Sequence, residues 1–148
     1  MNILVIEDDP NKRRQIVEFL NLEFDNAKIV EKYSYQSGLK EILDKEYEVI
    51  ILDMSMPTFD ITSHENGGRP RPFAGKEIIM QMNRKKIKIP IIVVTQFENF
   101  GEGNSIITLK ELSNELNALY NETYMGTVYY NAVLNNWKDD LKKILNLI

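Results

Sequence analysis

The sequence predicts an α/β protein in which helices cover both faces of a parallel sheet. Short apolar runs alternate with longer amphipathic segments along nearly the whole chain, which is typical of repeated strand–helix units. Three of the five apolar runs are unbroken stretches of Ile, Val and Leu, as expected for strands that are buried on both faces. With 148 residues, 43% of them hydrophobic and 27% charged, the chain has the size and composition of one globular domain. We therefore expect residues 1–148 to form a single domain.

Five strands are predicted from these short apolar runs. They cover residues 3–6, 27–31, 49–52, 91–94 and 126–130. The first, third and fourth runs are continuously apolar and end at a polar residue, so they predict buried strands. The second and fifth runs are weaker and are placed mainly by the alternation.

Five helices are predicted after these strands, from capping residues and from the spacing of apolar residues. The predicted first residues or caps are Asp9 (followed by Pro10), Ser34, Thr108 (in a capping box with Glu111) and Asn135. Ile78, Ile79 and Met82 mark the third helix. In the first helix, Ile16, Leu20 and Phe24 recur at intervals of four residues, which indicates one buried face.

Two connections are longer than a strand-to-helix connection usually is. They cover residues 58–74 and 96–107, and both follow strands at the edge of the sheet where polar residues end the apolar runs. One interpretation is a tolerated surface insertion, because long loops cost little entropy. The other is a lid or docking surface over a site, which their shared position favours.

Composition excludes several classes of function. The chain has no Cys and only one His, which excludes a disulfide scaffold, a thiol nucleophile and a Cys-ligated zinc site. Its net charge of -4 argues against direct binding of nucleic acid. No apolar stretch approaches the roughly 18 residues of a membrane span, and no basic segment precedes the first apolar run. We therefore expect a cytoplasmic protein that contacts neither nucleic acid nor membrane.

Polar residues follow three of the predicted strands. Glu7 and Asp8 follow the first strand, Asp53 follows the third, and Thr95 follows the fourth. In a 2-1-3-4-5 strand order these side chains gather at one edge of the sheet, where open α/β sheets bind ligands. Three neighbouring carboxylates repel one another, which predicts raised pKa values or a bound divalent cation, best Mg²⁺. Taken singly, each residue has a structural alternative, such as Asp8 and Asp9 serving the first helix N-terminus.

The motifs around these residues resemble those of the receiver domains of two-component response regulators. Residues 3–10 (ILVIEDDP) look like the first strand and acidic pair of that family, and residues 50–57 (IILDMSMP) look like its phosphoacceptor strand. Residues 75–78 (GKEI) are similar to the Gly-x-Glu-Leu that opens its third helix, and residues 92–95 (IVVT) to its switch strand. The resemblance covers essentially the whole chain. It implies a flavodoxin-like (βα)5 three-layer sandwich with a central parallel sheet in the order 2-1-3-4-5.

The resemblance also implies a function. Asp53 would accept a phosphoryl group from a sensor histidine kinase or phosphotransfer protein, and Thr95 would be the switch hydroxyl that binds the phosphoryl oxygens. Glu7, Asp8 and Asp53 would hold Mg²⁺ together with the backbone carbonyl of Ser55. We expect a stand-alone phosphorelay member that acts through a downstream protein partner. Any enzymatic activity would be limited to accepting the phosphoryl group and removing it again.

The main departure from the pattern of the family lies at the end of the fifth strand. The family has a Lys at the end of its fifth strand that pairs with the phosphoryl group, whereas this chain has Tyr130 there. No Lys or Arg lies between Lys110 and Trp137, so Arg69, Arg71 and Lys110 are the candidate substitutes. The alternative hypothesis is therefore a degenerate receiver that keeps the fold and binds a partner independently of phosphorylation.

Two other classes fit the sequence less well. A Mg²⁺-dependent hydrolase on this fold would have a second Asp two residues after the nucleophile, where Ser55 stands. A nucleotide-binding switch would have a glycine-rich phosphate loop after the first strand, and no such loop is present.

Overall fold

The protein contains a central sheet of five parallel strands. The computed structural model describes residues 1–62, 64 and 67–148. The strands of the sheet are β1 (Asn2–Ile6), β2 (Lys28–Lys32), β3 (Val49–Leu52), β4 (Ile91–Thr95) and β5 (Tyr124–Tyr129). Their order across the sheet is β2-β1-β3-β4-β5, and every neighbouring pair is parallel. The flavodoxin-like α/β fold and the strand order predicted from the sequence are confirmed.

Five helices cover the two faces of this sheet. They are α1 (Pro10–Glu23), α2 (Tyr35–Asp44), α3 (Ala74–Arg84), α4 (Leu109–Leu119) and α5 (Asn136–Leu145). Alternate residues of the strands enter two separate apolar clusters, one packed with α2, α3 and α4 and the other with α1 and α5. This arrangement explains the continuous apolar runs, since each central strand is buried on both faces. Within the described ranges, no helix has the length and apolar character needed to cross a bilayer.

The predicted capping residues lie at the helix starts. Asp9 accepts hydrogen bonds from the backbone N–H groups of the first turn of α1, and the Ser34 hydroxyl accepts one from the backbone N–H of Ser37. Thr108 and Glu111 form the predicted capping box. Asn135 precedes α5, but its side chain makes no capping hydrogen bond within the described part of the chain. Side-chain caps therefore begin three of the five helices.

Both long connections contain a short antiparallel hairpin. In the first connection, Met56–Pro57 pairs with Pro70–Arg71. In the second, Asn99–Phe100 pairs with Ile107–Thr108, and a single 3-10 turn lies between them. The first hairpin follows β3 and the second follows β4, so both lie at the edge of the sheet where the parallel strands end. We call them hairpin 1 and hairpin 2.

Gly75 allows α3 to approach the end of β3 closely. Its backbone N–H donates a hydrogen bond of 2.9 Å to the Met54 carbonyl. A Cβ atom at residue 75 would lie 2.5 Å from the Asp53 carbonyl oxygen and 3.0 Å from the Met54 Cα. Because the obstacle is backbone, only glycine fits here without moving the segment that carries Asp53. This explains in physical terms why a glycine precedes Lys76 in the motif at residues 75–78.

We predict that Gly75→Ala destabilises the protein by about 1–3 kcal/mol, because overpacking against backbone outweighs the roughly 1 kcal/mol gain in helix propensity. Gly38→Ala is the matched control within α2. A Cβ atom there would lie 2.8 Å from side-chain atoms of Ile6 and not from backbone, so we expect this variant to lose less stability than Gly75→Ala. Urea unfolding of both variants measures the difference. Equal stability of Gly75→Ala and the wild type would contradict this account.

Candidate functional site: an acidic pocket at the carboxyl edge of the sheet

Three carboxylates converge where β1 and β3 end. Ile6 is paired in register with Leu52, and the Asp53 backbone N–H donates a hydrogen bond of 3.0 Å to the Ile6 carbonyl. This pairing places Asp53 beside the acidic pair that follows β1. Glu7, Asp8 and Asp53 each offer one oxygen, and these oxygens lie within 4.8 Å of one another. Glu7 and Asp53 are buried, while Asp8 is partly exposed.

Thr95 and Tyr130 lie beside each other at the ends of β4 and β5. Thr95 is fully buried, and its hydroxyl accepts a hydrogen bond of 3.2 Å from the Phe97 backbone N–H. The Tyr130 backbone N–H donates to the Thr95 carbonyl. The Tyr130 side chain is buried against Trp137, and its hydroxyl donates a hydrogen bond of 2.9 Å to Gln15 of α1. Tyr130 therefore links β5 to α1 and brings no charge to the site.

A buried lysine that the sequence analysis did not predict also lies in the site. The Lys12 ammonium nitrogen, Nζ, lies 2.5 Å from Glu7 Oε1 and 3.3 Å from Asp53 Oδ1. It also donates a hydrogen bond of 2.7 Å to the carbonyl oxygen of Val94, in β4. Its side chain is fully buried. Lys12 thus binds groups that follow or belong to three neighbouring strands.

A signal for Lys12 is present in the sequence. Ile16 and Leu20 form the buried face of α1 at intervals of four residues, and one further step toward the N-terminus reaches Lys12. A lysine in line with a buried apolar stripe is unusual, because an ammonium group is rarely fully buried unless it is paired. Extending the stripe by one turn therefore gives a sequence criterion for a buried, paired cation.

The three cations that the sequence suggested as substitutes lie elsewhere. Arg71 donates hydrogen bonds to Thr58 and Glu77, and its guanidinium group stacks on the Tyr35 ring at 4.5 Å. Arg69 and Lys110 are exposed. Arg71 therefore anchors hairpin 1 to α2 and α3, and the ion-pair contacts with the Asp53 carboxylate in the described part of the chain come from Lys12.

Burial and mutual charge shift the pKa values in the pocket. Burial raises the pKa of Glu7, the charge of Asp53 adds to this rise, and Lys12 opposes it. Burial lowers the pKa of Lys12, but the charges of Asp53 and Glu7 outweigh that effect and raise its pKa overall. Burial also raises the pKa of Asp8. One ammonium group does not balance three carboxylates, so the pocket favours a further cation.

The residues of the pocket fit a hard divalent cation. Ligand oxygens around Mg²⁺ lie about 2.1 Å from the ion, so three carboxylate oxygens within 4.8 Å of one another need only a small closure to bind it. Asp8, Asp53 and Ser55 all line one open cavity of about 330 Å³. The two Glu7 oxygens already face donors, since Oε1 lies against Lys12 and Oε2 accepts from the Asp9 backbone N–H. Asp8 and Asp53 are therefore the carboxylates best placed for direct contact with a metal.

The long connections form two walls of this cavity. Residues of the first connection that line it are Ile61, Gly68 and Pro70, and residues from the start of the second are Gln96 and Phe97. The Ile61 side chain is 66% exposed and that of Phe97 is 42% exposed, so the rim of an acidic cavity is apolar. The cavity mouth therefore combines exposed apolar surface with a charged centre.

The first connection is held against the start of α2. Asp60 Oδ1 accepts hydrogen bonds of 2.6 Å from the Ser34 hydroxyl and 2.9 Å from the Ser37 hydroxyl. The Gln36 backbone N–H donates to the Thr58 carbonyl, which adds a main-chain contact. These contacts determine where the wall formed by residues 58–61 lies relative to the pocket.

We predict that Asp60→Ala loosens this wall with little effect on the rest of the fold. Amide exchange at residues 58–61 should accelerate about tenfold, as expected when hydrogen bonds worth about 1.4 kcal/mol together are lost. The unfolding midpoint should change little, because the site is on the surface. Asp44→Ala, an exposed acid at the other end of α2, is the control. Unchanged exchange in Asp60→Ala would show that other contacts hold the connection.

We also predict that Asp8→Ala stabilises the protein in metal-free buffer, by on the order of 1 kcal/mol, because it removes one of three mutually repelling charges. Mg²⁺ should stabilise the wild type, since it binds the folded state, but should not stabilise Asp8→Ala. Thermal unfolding with a chelator and with Mg²⁺ measures both effects.

The neighbouring Asp9→Ala variant is the control for this experiment. It removes the α1 cap and should cost about 1 kcal/mol while the stabilisation by Mg²⁺ remains. A lower unfolding midpoint of Asp8→Ala in chelator would mean that the Asp8 carboxylate stabilises the fold.

Comparison of the sequence with known proteins finds one matching family and relatives that match along nearly the whole chain. Residues 3–110 match the family described as the response regulator receiver domain. The chain is 37% identical over 145 residues to the uncharacterized protein y4jR of Sinorhizobium fredii, covering 96% of this chain and 95% of that protein. It is 33% identical to the Detocs response regulatory protein DtcB of Enterobacter cloacae, covering 99% of this chain and 100% of that protein.

Solved structures show the same fold at low sequence identity. The response regulator TrrA of Thermotoga maritima, solved in complex with Mg²⁺ and BeF, has a TM-score of 0.61 at 22% identity and covers 97% of both chains. A CheY-like receiver domain protein of Methanospirillum hungatei has a TM-score of 0.64 at 17% identity, covering 99% of this chain and 91% of that one.

Proposed function

Because this chain belongs to the response regulator receiver domain family, we propose that it accepts a phosphoryl group on Asp53 and signals through a protein partner. The observation that carries the proposal is the convergence of Glu7, Asp8 and Asp53 within 4.8 Å, with Asp8 and Asp53 lining an open cavity. A carboxylate can attack phosphorus when nearby cations neutralise the charge that collects around it.

Asp53 is the nucleophile of the proposed reaction. Its Oδ1 accepts a hydrogen bond of 2.7 Å from the Met54 backbone N–H and also faces Lys12, so we assign the attack to Oδ2. A new O–P bond forms to Oδ2 while the P–N bond of a phosphohistidine breaks. The electron pair of that bond goes to the imidazole nitrogen, which takes up a proton. Later attack by water on phosphorus releases phosphate and restores the carboxylate.

Mg²⁺ is the cofactor of this proposal. Asp8 and Asp53 would hold it together with the Ser55 carbonyl. Glu7 would not contact the ion directly, because it is paired with Lys12, but its negative charge would still attract the ion. The bound ion would neutralise the negative charge on the oxygens of the incoming phosphoryl group. The complex of the related TrrA with Mg²⁺ and BeF supports this assignment for the pocket.

Thr95 and the cavity walls complete the proposed function. The Thr95 hydroxyl is buried at the end of β4, at the same edge as Asp53, where it would bind the phosphoryl oxygens. The apolar rim formed by Ile61 and Phe97 would contact the phosphodonor, a sensor histidine kinase or phosphotransfer protein. Similarity to a response regulatory protein over its full length supports a receiver that passes the signal to a downstream protein.

The second candidate is a degenerate receiver that binds its partner without phosphorylation. The observation that favours it is Tyr130, which stands at the end of β5 and brings no cation to the site. Phosphorylation of Asp53 distinguishes the two candidates, because the degenerate receiver would remain unmodified under conditions that label an ordinary receiver.

We predict that acetyl phosphate with Mg²⁺ adds one phosphoryl group to the wild type, as measured by intact mass. Asp53→Asn should remain unmodified, because an amide is a poor nucleophile and carries no charge. Thr95→Ala should label at least about tenfold more slowly, because one hydrogen bond to the transferring group is lost. Asp44→Ala, which removes an exposed acid at the far end of α2, is the control and should label at a rate close to that of the wild type. An unmodified wild type would support the degenerate receiver.

A further inference from the structure

We propose that Lys12 is the residue that binds the phosphoryl group on Asp53, in place of the cation that is absent from the end of β5. This inference rests on the proposed phosphoacceptor function. Lys12 Nζ lies 3.3 Å from Asp53 Oδ1, so it already contacts the carboxylate that would carry the phosphoryl group. The ammonium group belongs to α1, whereas the residue at the end of β5 is Tyr130.

The position of Lys12 has no purely local explanation. It lies in the first turn of α1, where the helix dipole disfavours a positive charge. It is also fully buried, which costs several kcal/mol for an ammonium group unless anions compensate. Glu7 and Asp53 supply that compensation, so the placement of Lys12 is determined by the acidic pocket rather than by the helix.

Tyr130 closes the site around the Lys12 side chain. Its ring centroid lies 5.9 Å from Lys12 Nζ, and its ring also packs on Trp137 at 5.3 Å. The Tyr130 hydroxyl is held by Gln15, one turn along α1 from Lys12. An aromatic residue at the end of β5 thus fills the space beside the lysine and keeps that space dry. Tyr130 takes the place of the lysine expected at the end of β5, and its ring covers the buried lysine that α1 supplies instead.

The contacts of Lys12 suit it to bind the phosphoryl group. Glu7 Oε1, at 2.5 Å, and the Val94 carbonyl, at 2.7 Å, hold Nζ from the sheet side and orient the ammonium group. When phosphorus bonds to Asp53, negative charge spreads over the phosphoryl oxygens beside this fixed cation. A preorganised cation stabilises such charge without having to reorganise during the reaction. Lys12 therefore acts as a catalytic residue toward the reacting atoms and remains bound to the product.

The first test compares labelling rates with acetyl phosphate and Mg²⁺ by intact mass. Lys12→Met should react about 10- to 100-fold more slowly than the wild type, as expected for loss of a charge-assisted contact. Arg14→Gln removes an exposed cation of the same helix and should react like the wild type. The double variant Lys12→Met with Tyr130→Lys returns an ammonium group from β5 and should regain at least part of the rate.

The second test uses the wild type alone, so it does not depend on the folding of any variant. The side-chain ammonium signal of Lys12, assigned through its own carbon atoms, is followed by NMR during titration with beryllofluoride and Mg²⁺. Binding of the phosphoryl mimic should shift this signal, while the signals of exposed lysines such as Lys110 stay in place.

The outcomes separate the inference from the function on which it rests. If the wild type is labelled on Asp53 while Lys12→Met matches its rate, or if the Lys12 signal ignores beryllofluoride, the inference is wrong and the phosphoacceptor function stands. If the wild type is neither labelled nor responsive to beryllofluoride, the phosphoacceptor function fails and the inference fails with it.

Discussion

The acidic edge of this protein depends on one buried ammonium group. Lys12 Nζ contacts Glu7 after β1, Asp53 after β3 and the Val94 carbonyl in β4, so a single side chain ties three adjacent strands to α1. Two carboxylates buried at neighbouring strand ends would otherwise repel each other in a medium of low dielectric constant. Removing one partner of such a buried set leaves an uncompensated charge, which is far more costly than the net value of the intact set.

The cavity above this charge cluster takes two of its walls from the two long connections. Each wall is fixed to the scaffold by side-chain contacts. In the first connection, Arg71 stacks on the Tyr35 ring of α2 and forms an ion pair with Glu77 of α3. Phe100 of hairpin 2 is buried in the apolar cluster that packs with α2, α3 and α4, and its ring centroid lies 6.5 Å from that of Phe73 and 6.4 Å from that of Phe97. The acids at the strand ends follow from the fold, whereas the apolar rim follows from these connections. In the proposed function, recognition of a partner and chemistry on Asp53 would therefore be carried by different parts of the sequence.

The site around Asp53 requires a positive charge at a particular position, but that charge can be supplied by any strand or helix that reaches the position. A lysine at the end of β5 and a lysine in the first turn of α1 can approach the same carboxylate, because β5 and α1 meet at Tyr130 and Gln15. Tyr130 shields the buried lysine, since its ring centroid lies 5.9 Å from Lys12 Nζ and a small residue at position 130 would open the lysine to water and weaken its ion pairs. The fold is shared with receivers of under 25% identity, and the chemistry must be argued from the site itself.

The sequence alone indicated the alternating strands and helices, because continuous apolar runs and capping residues such as Asp9 and Thr108 are local signals. The strand order, and with it the edge at which the acids gather, came from the resemblance to the receiver family. The sequence did not reveal the partner of Asp53. Sequence comparison placed a neutral Tyr130 where a cation was expected and suggested Arg71, which instead binds Glu77. Only the tertiary structure joined Lys12 to Asp53, 41 positions apart in the sequence, since that contact depends on how α1 packs across β1, β3 and β4. The spacing of Lys12 from Ile16 and Leu20 marks it as a buried position, but the carboxylates with which it pairs are decided by tertiary packing, because electrostatic pairing acts through space.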